Sequence, residues 1–422
     1  MKNLTLILSL LFVLLGSHQS FALEKMNLKQ CYESALKASE SIEISEQDIQ
    51  RAQARFTQAL GLVLPKITFY FTETLQDPIS GNDSSSVGNT FTRSSRPEAA
   101  FNFQQTLFRG LREIRSVKLS KVDKSRQQLL KKEAERRLFQ DVAIAFFTIT
   151  QIESEIDSLQ KIIRVSKSQL TELEKQSQLG KIRESSSAAQ QADLSLLEAE
   201  LEKKKGERAV SYQMLSFLTG IDPQPNIEIQ SPLLEVNRPL QSYLASTVNR
   251  PDLLADQTSV KIAKGETKIT EGELLPQADL NANIYPYRVG FLKDIHWDAQ
   301  IQVSVPIFNG VTIGKIQESK LKAKQAELLA EGNRRLALSE TKQAYEAFQS
   351  ASRQFSKYQK ASRNSEHSYY LQAEDFKLGL IDNLDVLQSQ RLWLEALRAR
   401  NEAETSAWLS WIKLQLTSGT LP

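Results

Sequence analysis

The chain writes one structural unit twice, and that repeat constrains its fold more than any other feature. Leu179-Gly180-Lys181-Ile182-Arg183-Glu184-Ser185 and Leu378-Gly379-Leu380-Ile381-Asp382-Asn383-Leu384-Asp385 lie 199 positions apart, each in the middle of a long helical pattern. A glycine takes the left-handed conformation that ends a helix, and a following Ser or Asp caps the next one. Each stretch therefore reads as the tip of a helical hairpin. Other pairs repeat at similar offsets: Leu64-Pro65 with Leu275-Pro276, Phe108-Arg109-Gly110 with Phe308-Asn309-Gly310, and Leu218-Thr219-Gly220 with Leu416-Thr417-Ser418-Gly419.

Within each unit the hydrophobic period changes. Residues 28–62 read as a helix. After Pro65, residues 67–76 switch to two-residue alternation of β-branched and aromatic types. A stretch rich in Ser, Gly and Asn follows, then a second strand at 98–107 with Ala99, Phe101, Phe103 and Leu107 on one face. Residues 111–179 hold neither Gly nor Pro, which is enough for roughly 100 Å of helix. Ile152, Ile156, Leu159, Ile163, Leu170 and Leu173 form a lateral seam on it, with Ser166 in the gap. A return helix ends at Thr219-Gly220. Five prolines mark 221–251 as a connector. The unit then restarts with a helix from Pro251, strands at about 278–287 and 295–306, a second long helix, the tip near 379 and a return helix.

The domain reading follows. Residues 1–22 are a signal peptide, with Lys2, an apolar run from Leu4 to Gly16 and a small-x-small site at Ser20-Phe21-Ala22. Residues 23–220 are the first repeat, 221–250 an equatorial connector, and 251–422 the second repeat. No later apolar run is long enough for a membrane helix. Charge is nearly balanced, 53 basic against 50 acidic residues, which gives no nucleic-acid footprint. Cys31 is the sole cysteine, and His296 and His367 lie far apart in sequence and are not joined by other ligand-type clusters, so no disulfide, metal site or cofactor is expected. No nucleophile, acid pair or phosphate loop argues for an enzyme.

Strands of about ten residues with one apolar face suit a tilted bilayer crossing, and equally a small soluble sandwich. In lipid, four strands leave open edges whose backbone groups stay unpaired. Several copies must then share one barrel. Two copies give eight strands and a filled interior; three give twelve and room for a channel. The helices carry too many charges for lipid and must extend into water.

These residues resemble the TolC-like outer-membrane efflux proteins over the whole mature chain. The resemblance rests on the twofold repeat, Asn249-Arg250-Pro251-Asp252-Leu253, Leu275-Pro276, Val305-Pro306-Ile307-Phe308-Asn309-Gly310 and Leu378-Gly379-Leu380-Ile381-Asp382-Asn383-Leu384-Asp385-Val386-Leu387. It implies a mainly α fold with a β-barrel portion: a homotrimer with an α-helical tunnel and a shared twelve-stranded barrel. It implies an outer-membrane location reaching into the periplasm of a Gram-negative-type cell, and service as the exit duct of a tripartite pump for small molecules. The implied partners are a periplasmic adaptor, an inner-membrane transporter and outer-membrane lipid. The same architecture also serves as the exit channel of type I protein secretion; a periplasmic coiled-coil adaptor or structural protein is the reading from a different class.

By that resemblance, Leu179, Gly180, Lys181, Leu378, Gly379 and Leu380 sit at adaptor-docking tips. Asp385 matches the first aspartate of an entrance constriction; Gln388 stands where a second would be, and Asp382 precedes them. Lys181, Arg183 and Ser185-Ser186-Ser187 depart from the family pattern at the first tip, and Ala38-Ser39-Glu40-Ser41 lacks the family's Asn-Pro pair. Trp297, Tyr285, Tyr287 and Phe291 are expected at the outer rim of the barrel and Phe108 and Phe308 at the opposite rim, where amphipathic rings favour the interface.

Overall fold

The computed structural model describes residues 26–77, 95–221, 227, 238–290 and 292–420. The signal-peptide expectation, Phe291 and most of the proline-rich connector lie outside these residues. Helices α1 (Leu28–Ala38) and α2 (Glu40–Gly61) lead to strands β1 (Lys66–Leu75) and β2 (Ser95–Arg109). Helix α3 (Arg112–Gln178) and its return helix α4 (Glu184–Thr219) complete the first unit of the repeat. The second runs through α5 (Leu240–Thr247), α6 (Pro251–Glu271), a 3₁₀ turn at Gly272–Leu274, β3 (Gln277–Arg288), β4 (Trp297–Ser304), α7 (Gly310–Lys377) and α8 (Asn383–Thr417). No described helix is long and apolar enough to cross a membrane.

The helix expected over 28–62 is two. Ser39 is extended (φ −77°, ψ 115°) while its N–H still donates to the Ala35 carbonyl at 2.9 Å. Serine supports such a break because its hydroxyl offers the backbone an alternative to the helical bond. Asn27 starts α1 with a reciprocal cap: its side chain accepts from the Gln30 N–H, and the Gln30 side chain accepts from the Asn27 N–H, both at 2.9 Å.

The chain divides into two compact units. One comprises Met1–Glu40, Glu135–Tyr243 and Glu340–Pro422. Its core joins the outbound helices α3 and α7 to their returns through Leu159, Ile162, Leu173, Leu194, Tyr369, Phe376, Val386 and Trp393. Every residue of the expected α3 seam is buried. Ser166, the polar gap in that seam, is filled by Gln190, whose amide donates to the Ser166 hydroxyl at 2.7 Å. Trp393 stacks on Tyr369 and Trp408 on Phe147, with centroids 5.3 and 5.7 Å apart. Burying such rings stabilises the unit by about 1.5–3 kcal/mol each.

The other unit comprises Ser41–Ala134 and Leu244–Ser339. It holds one antiparallel sheet in the order β1-β2-β3-β4. The two strand-to-helix junctions differ despite their shared Phe-x-Gly. After β2, Gly110 and Leu111 are both left-handed (φ 64° and 61°), a conformation uncommon for leucine. A Cβ on Gly110 would lie 2.4 Å from the Gly272 carbonyl oxygen, so the close approach demands glycine. In the second repeat Gly310 is simply the first residue of α7. Asn309 caps that helix, its side chain accepting from the Thr312 N–H at 3.2 Å.

Candidate functional site

The sheet presents two chemically opposite faces. On one, Phe69, Phe101, Ile284 and Trp297 form a continuous cross-strand row, and each is at least 45% exposed. Ile67, Phe71, Ile301 and Val303 extend that apolar surface. On the other face, Asn102 donates to Asn283 at 2.8 Å and Asn283 to Asp298 at 2.9 Å. Ion pairs Arg288–Glu98 (2.7 Å) and Arg109–Asp279 (2.9 Å) join neighbouring strands. An apolar face bare to water loses about 25 cal/mol per Å² relative to burial, and a contiguous patch of this kind marks a membrane or protein interaction site. Among the described residues, β1 pairs only with β2 and β4 only with β3, so both edges are open.

The aromatic residues divide between these faces. Trp297, Tyr287, Phe308 and Phe108 are all exposed. Tyr285 is not: it is 8% exposed, its hydroxyl donates to Asp298 at 2.7 Å, and the Arg288 guanidinium lies 4.0 Å from its ring centre. It therefore belongs to the polar network instead of the exposed rim. A bulge explains the difference. Ala99 pairs with Tyr287 but Phe101 with Ile284, so β3 carries one extra residue, at Tyr285-Pro286. Strict alternation would put Tyr285 and Tyr287 on one face, and the extra residue turns Tyr287 to the other. Pro286 suits the bulge because it has no N–H to give a ladder.

The hairpin tips lie in the other unit. Gly180 (φ 70°) and Gly379 (φ 74°) end α3 and α7. Each tip then closes with a pair of backbone bonds: Gly180 N–H to Ser177 and Lys181 N–H to Gln176, both 2.9 Å, and Gly379 N–H to Phe376 at 2.9 Å with Leu380 N–H to Asp375 at 3.0 Å. Ile182 and Ile381 pack inward on the hydrophobic core. Leu179, Leu378, Leu380 and Leu384 point outward, each more than two-thirds exposed. Lys181 is exposed beside them.

The two restarts differ. Asp382 caps α8 by accepting from the Leu384 N–H (2.7 Å) and the Asp385 N–H (3.3 Å). At the first tip the expected serine cap is absent: α4 begins at Glu184, and Arg183 occupies the cap position without a side-chain bond. An arginine side chain has donors only, so it cannot accept from the open amides. Asp382, Asp385 and Gln388 are spaced by three and all exposed, which places them near one another on the surface of the α8 start. Buried Asn383 joins the tips: it accepts from Gln169 at 3.5 Å and donates to the Ser186 carbonyl at 3.4 Å.

Sequence reasoning missed the polar links between hairpins. Asp193 of α4 accepts from Arg391 and Gln390 of α8, and Lys161 of α3 pairs with Glu366 of α7 while lying 4.9 Å from the Trp393 ring centre. Arg398 pairs with Glu200. A signal existed: opposite charges recur 198 positions apart on the two return helices, at Asp193 and Arg391 and at Glu200 and Arg398.

Residues 244–420 match the family model described as "Outer membrane efflux protein". No curated protein matches the sequence. Solved structures match over nearly the whole chain. CusC, whose structures describe transmembrane channel formation, superposes with a TM-score of 0.81 at 16% identity, over 93% of this chain and 92% of its own. The outer membrane protein VceC of Vibrio cholerae gives 0.80 at 18% identity, over 93% and 96%. The Campylobacter jejuni CmeC outer membrane channel gives 0.79 at 17% identity, over 93% and 85%. The fold is thus that of these outer-membrane proteins.

Proposed function

We propose that this chain, which carries the outer membrane efflux protein family's pattern over residues 244–420 and the fold of solved outer membrane channels, is the outer-membrane exit duct of a tripartite efflux system. The observation that carries the reading is the sheet. One face is apolar and bare, the other is polar and networked, and both edges are open. Lipid outside and water inside account for the faces, and closure by further copies accounts for the edges. Three copies give a twelve-stranded barrel wide enough to conduct. A periplasmic coiled-coil adaptor has no use for such a sheet. The family match is to efflux, which favours small-molecule export over the exit channel of protein secretion.

In this reading the exposed leucines at Leu179, Leu378, Leu380 and Leu384, with Gly180, Lys181 and Gly379, are the docking surface for a periplasmic adaptor, itself bound to an inner-membrane transporter. Asp385 lines the entrance, with Asp382 and Gln388 beside it. Trp297 and Tyr287 lie at the lipid interface, with Phe108 and Phe308 at the opposite rim. Transport needs no bond-making chemistry from the chain.

Conductance of the purified protein in a planar bilayer tests the proposal. Discrete cation-sensitive steps are expected, and Asp385→Ala should relieve block by divalent cations. Wild-type block left unchanged by that substitution would remove Asp385 from the entrance. A well-folded sample that forms no channels would overturn the duct.

A further inference from the structure

Where the chain leaves the sheet, one exposed line of side chains changes from apolar to cationic. Phe108 lies on the apolar face of β2: it pairs with Ala278, which pairs with Val303 of that face. Leu111 and Ile114 follow at the start of α3 and are 45% and 48% exposed. Lys118 and Lys121 come next, and both are exposed. Residues 111, 114, 118 and 121 are spaced by three and four, so they share one side of the chain. No acidic residue of α3 between Leu111 and Lys132 is exposed.

Helix α6 adds the same charge beside this line. The two helices touch: a Cβ on Gly265 of α6 would lie 2.6 Å from the Leu119 side chain, and Arg115 donates to the Lys268 carbonyl at 2.8 Å. Lys261 and Lys268, four before and three after Gly265, therefore border α3, and both are exposed, as is Lys264. Lys264 has Glu327 at 2.7 Å, and Lys320 of α7 takes Glu271 at 3.5 Å. Among the described residues, Lys118, Lys121, Lys261 and Lys268 form no ion pair. The result is an exposed cationic patch across α3 and α6, next to the apolar surface of the sheet.

The internal repeat shows that the architecture does not need these lysines. Helix α3 corresponds to α7 at an offset of 200, set by Phe108-x-Gly110 and Phe308-x-Gly310, and there Glu318 and Leu321 stand for Lys118 and Lys121. Helix α2 corresponds to α6 at an offset of 211, set by Leu64-Pro65 and Leu275-Pro276, and there Gln50 and Thr57 stand for Lys261 and Lys268. Helix packing is met without cations in one repeat, so it does not explain them in the other.

We propose that Lys118, Lys121, Lys261 and Lys268 bind the phosphate headgroups of anionic phospholipids in the leaflet next to the helices. The inference rests on the channel reading, which puts the apolar face of the sheet in lipid, and it names the lipid that meets the base of that face. Depth supports it. At 1.5 Å per residue, Lys118 and Lys121 lie about 6 and 10 Å past Ile114 along α3. The headgroup layer on each side of a hydrocarbon core is about 5–8 Å thick. A lysine stem lies along apolar surface while its charge stays at the headgroups, and a cluster of such charges at that level favours anionic over zwitterionic lipid.

The test is lipid retention by full-length protein in micelles, offered phosphatidylglycerol and phosphatidylethanolamine in equal amounts and read by native mass spectrometry. The wild type should retain phosphatidylglycerol in preference. Lys118→Gln/Lys121→Gln and Lys261→Gln/Lys268→Gln should each lower that preference by about fivefold or more, with helical signal and conductance intact. High salt should weaken it in the wild type. Lys203→Gln/Lys205→Gln, which removes two exposed lysines of α4, should leave it unchanged. Equal loss in that control, or none in the two test variants, overturns the assignment to these lysines. Displacement of the lipid by an excess of inorganic phosphate would show a site for free anions and overturn the headgroup assignment. A wild type that conducts yet retains both lipids equally overturns the inference and leaves the duct standing; one that neither conducts nor retains lipid takes the membrane reading down with it.

Discussion

Asp193 and Arg391 hold the two return helices together: one carboxylate oxygen of Asp193 accepts from the Arg391 Nε and terminal nitrogen at 3.0 and 2.9 Å. The other oxygen accepts from the Gln390 amide at 3.4 Å. The Asp193 side chain is 8% exposed and the Arg391 side chain 63%, so the acid depends on the pair more than the base does. Arg391→Ala should therefore cost about 1–2 kcal/mol, a buried charged acceptor losing its donors less the screening of an exposed partner. Denaturant unfolding of both single variants and the double variant measures it. Strictly additive losses would show that the two residues do not act on one another.

The two tips make a matched pair for capping. Asp382→Ala removes the side chain that serves two amides and should destabilise the start of α8 by about 1 kcal/mol. Arg183→Asp supplies a cap that the first tip lacks and should stabilise α4 by about 0.5–1 kcal/mol. Amide hydrogen exchange in the first turn of each helix should move in opposite directions for the two variants. The same direction in both would mean that packing, not capping, sets these ends.

Glycine-to-alanine substitutions separate backbone cost from collision. Gly379 is left-handed with open space around it, so Gly379→Ala should cost about 1–2 kcal/mol. Gly110 is left-handed and also faces the Gly272 carbonyl, so Gly110→Ala should cost about 3 kcal/mol or more. Thermal melts of the two variants give the comparison, and equal losses would refute the close approach.

Alkaline pH should unfold the unit that carries α1. Burial pushes the Cys31 thiol up to about 11, against a backbone hydrogen bond that pulls it down. Burial, then the Glu135 charge, pushes Tyr32 to about 12, and burial with Tyr370 nearby pushes Tyr369 to about 12. Burial and a hydrogen bond to Glu153 raise Tyr212 as well. Each folded value lies above the unfolded one, so the stability they contribute is complete below the unfolded values, about pH 8.5 for the thiol and 10 for tyrosine. It is lost as pH climbs through 11 for Cys31 and 12 for Tyr32 and Tyr369. Tyrosinate absorbance and circular dichroism should change together in that range. An ordinary tyrosine titration with helicity intact would contradict the burial.

The alternation of Ile67, Phe69 and Phe71 and the glycine-free run after Gly110 made strands and long helices legible, because period two and period 3.6 leave different marks on sequence. What escaped depends on register or on neighbours. The break at Ser39 leaves the apolar period of 28–62 readable as one helix. The bulge at Tyr285-Pro286 reverses the face of Tyr287, and no count of alternating residues reveals an added one. The serine run at the first tip suggested a cap, yet the helix starts one residue before it, at Glu184. Asp193 and Arg391 become partners only once α4 and α8 are known to lie side by side.

The open edges of the sheet also order events in time. An unpaired strand edge has no stable place in hydrocarbon, so in the proposed duct a lone copy of this chain would have no inserted state of its own. Association must come first or coincide with entry. The yield of pores would then rise more steeply than linearly with the amount of chain made, and a copy that folds alone must wait, its apolar face shielded by something else, until others arrive.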